Sequence, residues 1–538
     1  MNYFSKIKPV LNKLSELNVY DSLYVVRAYM QACTDDGISK DYILGVRRSE
    51  ANSVEVWFAD FLIANIIKYC DDLPCNKSLR DVNTRYYICN PIEELHKEVS
   101  HKQMDQEVFV WLNSYIFNQT KITLRDNELR SLYRYYYLYK SAKIRAYAEQ
   151  RMKQPLEMYF KVAFFVYTIF VDKDRFYVSK SFFMPKGNKC DDGFLMSLEY
   201  VLGEISKPLL ELKTQCKEFS NYEEENLFGY YNNAPHVKYP LIKDKDGYYC
   251  TIPRYIPMVL LDGLYYRLDI PNCEDQGVGK EFSENMENYI GMIFDHFLDG
   301  GKVKYQQEIV YDVGKRKSQR TSDWILWDET DICFLDCKTK RISVKGKQAV
   351  TVDDETIERV VMDKPFSSKR KKEEIDEAIP EGITKDLINL GIGIGKIFAS
   401  YDDYRAGNIK ALPYLEGKSF HAVLVTLEES FSNTPGYKER ILKVAQSYRD
   451  AKSDRTEAID EKIVDILSVR NVEEGACVIG KEGIGFYLKH YMDNDVIKGK
   501  WVNDKFLVDK CNEELINPFL EELKPYYRDE MEHTISIE

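Results

Sequence analysis

The chain has 538 residues, 44% hydrophobic and 30% charged, with a formal net charge of −12 at pH 7. That length leaves room for two to four domains and at least one substantial core, and the composition is that of an ordinary folded soluble protein. The acidic balance argues against a general nucleic-acid-coating protein, though not against local basic surfaces. The longest apolar run, residues 162–171 (VAFFVYTIFV), falls far short of the roughly 20 residues that span a bilayer.

Residues 1–155 read as a mainly helical N-terminal domain. Ile7, Val10, Leu11, Leu14 and Leu17 recur at helical spacing, and 21–33, 55–70, 107–118 and 127–153 are similarly amphipathic or helix-rich, with Pro155 ending the last. The N-terminus has helical periodicity and no secretory apolar segment, which points to the cytoplasm and to no membrane role. Within 125–153, Lys and Arg alternate with tyrosines, a mixture able to follow a phosphate backbone. Tyrosine is abundant throughout, at 40 residues, so an interface or partly buried helix is the better expectation. A sensing, assembly or partner-binding role suits such a region.

Residues 156–240 form a mixed, aromatic-rich connection. From 241 onward strands and turns dominate, with Asp246-Gly247 as a hairpin signal. The charged stretch 343–383 reads as an insertion or mobile loop. Twelve cysteines are scattered without a CxxC pair, which suits buried thiols in a reducing compartment. Cys70, Cys75 and Cys89 with His96 or His101 fit no tight zinc spacing. GIGIGK at 391–396 fails both nucleotide-binding templates, so its glycines are expected to serve close helix–sheet packing.

The most informative stretch is SDWILWDETDICFLDCKTKR, residues 322–341. Two apolar runs flank a polar four-residue turn, 328–331. A symmetric hairpin sets Trp327 opposite Ile332 and Asp323 opposite Asp336, with Asp336 and Lys338 on one face and Cys337 on the other. Two facing carboxylates with one lysine call for a cation, and hard oxygen ligands suit Mg²⁺ or Mn²⁺. A cation that polarises a phosphoryl group, beside an ammonium that orients water or offsets charge, is what phosphodiester hydrolysis requires.

These residues resemble the PD-(D/E)xK, or restriction endonuclease-like, nuclease superfamily. Asp323 takes the first acidic role, after Ser322 where the motif name has proline, and Asp336-Cys337-Lys338 supplies D-x-K. A leading helix, GVGKEFSENMENYIGMIFDHF, has an apolar stripe of Phe282, Met286, Ile290, Ile293 and Phe297, with Glu287 beside it; Glu281 and Glu284 are competing assignments. GKVKYQQEIVYDVG reads as the first strand, with Glu308 a further acid; 384–404 reads as the following helix, 420–429 as the next strand and 435–449 as a flanking helix.

The resemblance implies an α/β restriction endonuclease-like core, a mixed sheet flanked by helices, in the order helix–strand–strand–strand–helix–strand, within a domain at 241–538. It implies a metal-dependent nuclease, an endonuclease on DNA, with Asp323, Asp336 and Glu287 as ligands of Mg²⁺ or Mn²⁺ and Lys338 as a catalytic residue. The helix after D-x-K lacks the glutamine some members carry, and Lys396 or Tyr401 stands in for it. Lys315, Arg316, Lys317, Arg320, Lys340 and Arg341 are candidate nucleic-acid contacts. The architecture resembles effectors of restriction or phage defence, with a homodimer or a protein partner at the N-terminal region as implied assemblies. The competing readings are a catalytically silent nuclease-fold binding module and a nuclease directed at RNA.

Overall fold

The predicted stripe of Ile7, Val10, Leu11, Leu14 and Leu17 is buried along the helix Tyr3–Leu14 and its exit, packed on Val19–Thr34 and Val56–Tyr69. This is one of two units of the computed structural model, built from the described residues up to 136 and 142–278; the other takes 137–141 and the described residues from 279 to 492. The structure describes chiefly residues 3–34, 56–72, 77–95, 128–171, 175–183, 192–218, 234–270, 276–314, 316–339, 352–362, 382–413, 417–428, 436–452 and 457–492. Among them, no helix is long and apolar enough to cross a membrane.

The first unit is mixed as well as helical. Its four-stranded sheet runs Tyr177–Ser179, Gly247–Cys250, Leu241–Lys243, Ser206–Pro208. The Asp246-Gly247 hairpin forms, with Leu241 opposite Cys250 and Lys243 opposite Tyr248. Ile242, Ile252 and Tyr255 join the same core as the N-terminal helices, so residues 241–278 belong with them and not with the second unit. The stretch read as one helix over 127–153 is two, Glu128–Tyr139 and Ala142–Met152. The predicted helix at 107–118 lies outside the described residues.

Most of α1 (Gln276–Leu298), from Gly279 on, belongs to the second unit, and its Phe282, Met286, Tyr289, Ile290 and Ile293 are buried. Tyr139 packs on Phe282, and Asn285 donates to the Leu138 carbonyl at 2.8 Å. Then follow β1 (Lys304–Gln307), β2 (Val310–Val313), β3 (Arg316–Arg320), β4 (Trp324–Trp327) and β5 (Asp331–Lys338). Beyond them lie α2 (Asp354–Met362), α3 (Ile383–Arg405), β6 (Ser419–Thr426), α4 (Tyr437–Lys452), β7 (Val464–Ser468), α5 (Val469–Glu482) and α6 (Ile484–Met492).

Five strands make a mixed sheet in the order β7-β6-β5-β4-β1. β5 is central, antiparallel to β4 and parallel to β6. That position explains its nearly unbroken apolar run, because a central strand is covered on both faces. The β4–β5 register is the predicted one, from Trp324 opposite Leu335 to Trp327 opposite Ile332. Asp328 shapes the turn, its carboxylate accepting from the backbone N–H of Thr330 at 2.9 Å and of Asp331 at 2.8 Å.

Two expectations change here. The stretch 301–314 is two strands, not one. β1 joins the main sheet, while β2 pairs with β3 as a separate ribbon. At the break, the Ile309 N–H donates to the Thr321 hydroxyl at 2.8 Å and the Ile309 carbonyl accepts the Thr321 N–H at 3.0 Å. Within the charged insertion, residues 354–362 form α2, with Ile357 and Val360 packed against Ile388, Ile392 and Val444. Asp353 caps it through Thr356 N–H at 2.9 Å, and Arg440 grips Asp354 with two bonds of 2.6 Å. A thiol expectation changes as well: Cys477 is disulfide-bonded, a pairing that spacing along the chain does not reveal, whereas Cys70, Cys89, Cys216, Cys250, Cys273, Cys333 and Cys337 are free.

Candidate active site

Asp336 and Lys338 are the last polar residues of β5 and project from one face of it, while Cys337 between them projects from the other. Asp323 immediately precedes β4. The register brings it level with Asp336, and its carboxylate accepts a hydrogen bond from the Cys337 N–H at 2.6 Å. The hairpin therefore joins both acids to the lysine. Lys338 Nζ forms an ion pair with Asp336 Oδ2, and Asp336 is only 7% exposed.

Glu287 arrives from α1. Trp324, the first residue of β4, donates its indole N–H to the Glu287 carbonyl at 3.1 Å. Gly291 makes this approach possible, since a β-carbon there would lie 2.4 Å from the indole ring. One turn before Glu287, the Ser283 hydroxyl lies 3.1 Å from that of Thr339, which follows Lys338. Of the competing helix acids, Glu284 is exposed and paired with Lys280 at 2.8 Å. Glu281 and Glu287 are both half-buried, and the charge of Glu287 senses Lys338 and Asp336.

Burial pushes the Asp323 carboxyl up to about 8, with the Asp336 charge adding to the rise and Lys338 opposing it. Burial also carries Glu287 to about 7, again with Lys338 opposing and Asp336 and Glu308 contributing. For Lys338, burial alone would lower the ammonium, but the charges of Asp336 and Asp323 outweigh it and hold the group above its ordinary value. The site is thus a cluster of acids that repel one another around a single firmly charged lysine.

These are hard oxygen donors, crowded enough to resist ionising together, and in chemistry they suit Mg²⁺ or Mn²⁺. Among the described residues, no three His, Cys, Asp or Glu side chains already stand in metal-holding positions. The ammonium of Lys338 is paired with Asp336.

The predicted basic contacts are spread along the ribbon and beyond. Arg320 reaches Glu308 at 2.9 Å and Lys317 reaches Asp312 at 3.1 Å, both through exposed side chains. The ribbon runs beside α3, where Ser400 donates to the Arg320 carbonyl at 3.4 Å and Tyr311 to Asp403 at 2.9 Å. Lys396 is exposed on α3, and Tyr401 stacks on Phe420 with ring centroids 3.6 Å apart, as a packing residue. Arg341 is half-buried; Lys315, Lys340 and the Arg316 side chain lie outside the described residues.

One contributor was not singled out from the sequence. The three glycines of GIGIG do different things. A β-carbon at Gly391 would lie 2.6 Å from Val444 Cβ, and one at Gly395 would lie 2.7 Å from Tyr448 Cβ, so these two admit α4. Gly393 faces the sheet, where a β-carbon would meet the Lys338 Cε and Leu424 Cδ1 atoms at 3.2 Å and Asp336 Oδ2 at 3.5 Å. The helical period holds the signal: positions 391 and 395 share a face and 393 looks away. No family model, curated protein or solved structure matches the chain.

Proposed function

We infer that the chain is a divalent-cation-dependent nuclease with a restriction endonuclease-like core, hydrolysing phosphodiester bonds, with DNA as substrate. The observation that carries this is the meeting of Asp323, Asp336, Glu287 and Lys338 at one end of the central strand. The order α1, β1, β4, β5, α3, β6 supports it, with β5 parallel to β6 and antiparallel to β4.

In this reading Asp323, Asp336 and Glu287 hold Mg²⁺ or Mn²⁺, which supplies Lewis acidity to the phosphoryl group and an acidified water. Lys338, held charged by its neighbours, offsets the negative charge that builds on the phosphate oxygens. Asp323 fixes the Cys337 backbone, and so the directions of the two side chains flanking it. A role in restriction or phage defence, with the first unit as the sensing or assembly region, follows from the same resemblance.

The test is cleavage of plasmid, linear duplex, single-stranded DNA and RNA with Mg²⁺ or Mn²⁺ at stated salt, with Asp336→Ala, Lys338→Ala and EDTA alongside. Activity lost in all three controls supports the enzyme and ranks its substrates. A second reading, a silent nuclease-fold binding module, is favoured by one observation: Lys338 already neutralises Asp336. Calorimetry with Mn²⁺ separates the two, since equal heats for wild type and Asp336→Asn would sink the catalytic reading.

A further inference from the structure

We propose that Gly393 is the positioning residue of Lys338: its missing side chain lets the lysine stem lie between α3 and the sheet with its ammonium on Asp336. The inference assigns a role to a residue outside the acid–lysine motif, and it deepens the nuclease reading, on which its catalytic consequence rests.

The argument is steric. β5 fixes Asp336 and Lys338 on the face that α3 covers, and α3 is held close by Gly391 and Gly395 against α4. The helix has little freedom to retreat: Arg449 on α4 and Asp402 on α3 are buried and joined by two hydrogen bonds of 2.9 Å. Opposite Lys338, the space is set by the backbone at 393. An added methyl would stand 3.2 Å from the lysine Cε and 3.2 Å from Leu424 Cδ1, tighter than ordinary van der Waals contact. Leu424 sits opposite Asp336 in the β5–β6 ladder and has no room to turn away, being fully buried. The flexible partner in this contact is the lysine stem, so the methyl displaces Lys338 and not the sheet. Glycine is otherwise costly in a helix interior, by roughly 0.5–1 kcal/mol relative to alanine, so a glycine at this internal position of α3 needs a steric reason.

The test uses the full-length protein and Gly393→Ala, with two readouts. In the first, acetic anhydride labelling is followed lysine by lysine by mass spectrometry. Lys338 is expected to label slowly in the wild type and at least threefold faster in the variant, with other lysines unchanged. An unchanged Lys338 rate overturns the inference, whether or not the protein cleaves anything. The second readout is plasmid cleavage with Mn²⁺. A fall of tenfold or more in kcat with KM within twofold, and no drop in melting midpoint, is expected; equal kcat in an active enzyme overturns the catalytic consequence. A wild type without activity sinks the nuclease reading alone, because the labelling result stands apart from it. If Gly393→Ala does not fold, Gly393→Ala with Leu424→Val, which trims the other neighbour, carries the same labelling measurement.

Discussion

The Asp323 carboxylate accepts the backbone N–H of Cys337 at 2.6 Å, so the acid from one strand binds the peptide unit that separates the acid and the lysine of the next. The residue is a structural acceptor as well as a charge, and the two roles come apart by substitution. Asp323→Ala leaves a buried N–H unpaired and is expected to lower stability by about 1–3 kcal/mol in urea unfolding. Asp323→Asn keeps an acceptor oxygen and should stay within about 1 kcal/mol of wild type, while losing the Mn²⁺-induced rise in melting midpoint. If alanine and asparagine unfold alike, the hydrogen bond contributes nothing.

Lys338 is the internal counter-ion of the acid cluster. Its replacement by Met should destabilise the metal-free protein by about 2–3 kcal/mol, below the cost for fully buried pairs because the ammonium retains some exposure. Millimolar Mn²⁺ should recover part of the loss, and recover more in Lys338→Met than it adds to wild type. Urea midpoints with and without MnCl₂ measure both; a variant as stable as wild type without metal would contradict the counter-ion role.

Asp465 on β7 is 3% exposed, and burial raises its carboxyl to about 6, with Lys438 and His421 opposing. The folded state therefore holds a proton that the unfolded chain releases near its ordinary value of 3.8. Its protonated form contributes stability below about pH 4, and that contribution fades as pH rises through about 6. Asp465→Asn should accordingly gain about 2–3 kcal/mol over wild type at pH 7.5 and little at pH 4. Melting midpoints across that range check the sign; a gain that is larger at pH 4 would reverse it.

The buried pair Arg449–Asp402 ties α4 to α3. Arg449→Met strands a carboxylate and should cost about 3–5 kcal/mol, whereas Arg449→Met with Asp402→Leu should return most of it. Chemical denaturation of the two variants decides. A double variant as weak as the single would mean that shape, and not charge, is what the pair supplies.

The hairpin was legible in the sequence because its turn, its two apolar runs and its acids all lie within one short stretch. Strand alternation alone then assigns the faces of Asp336, Cys337 and Lys338. The helix Val56–Tyr69 and most of the apolar stripe of α1 were legible for the same local reason, although Phe297 is only half-buried while Tyr289 and Phe294 are buried. What failed was decided at a distance. The break within 304–313 falls where Ile309 meets Thr321, a residue well along the chain. Ile357 and Val360 show helical spacing, but their partners on α3 and α4 give α2 its place, and the charge around them masked it. Gly393 was grouped with its neighbours as a packing glycine, because which of three glycines meets the sheet depends on where the helix lies.

The strand β5 is antiparallel to β4, its immediate predecessor, and parallel to β6, which the chain reaches only after the insertion and α3. Chain synthesis therefore delivers the two aspartates close together, on adjacent strands of one hairpin, well before residue 393 exists. Any fragment that stops short of α3 presents the acids and the lysine with no helix laid over them. The order of synthesis thus leaves the helix that covers the candidate site, and the strand β6 beside it, to the later part of the chain.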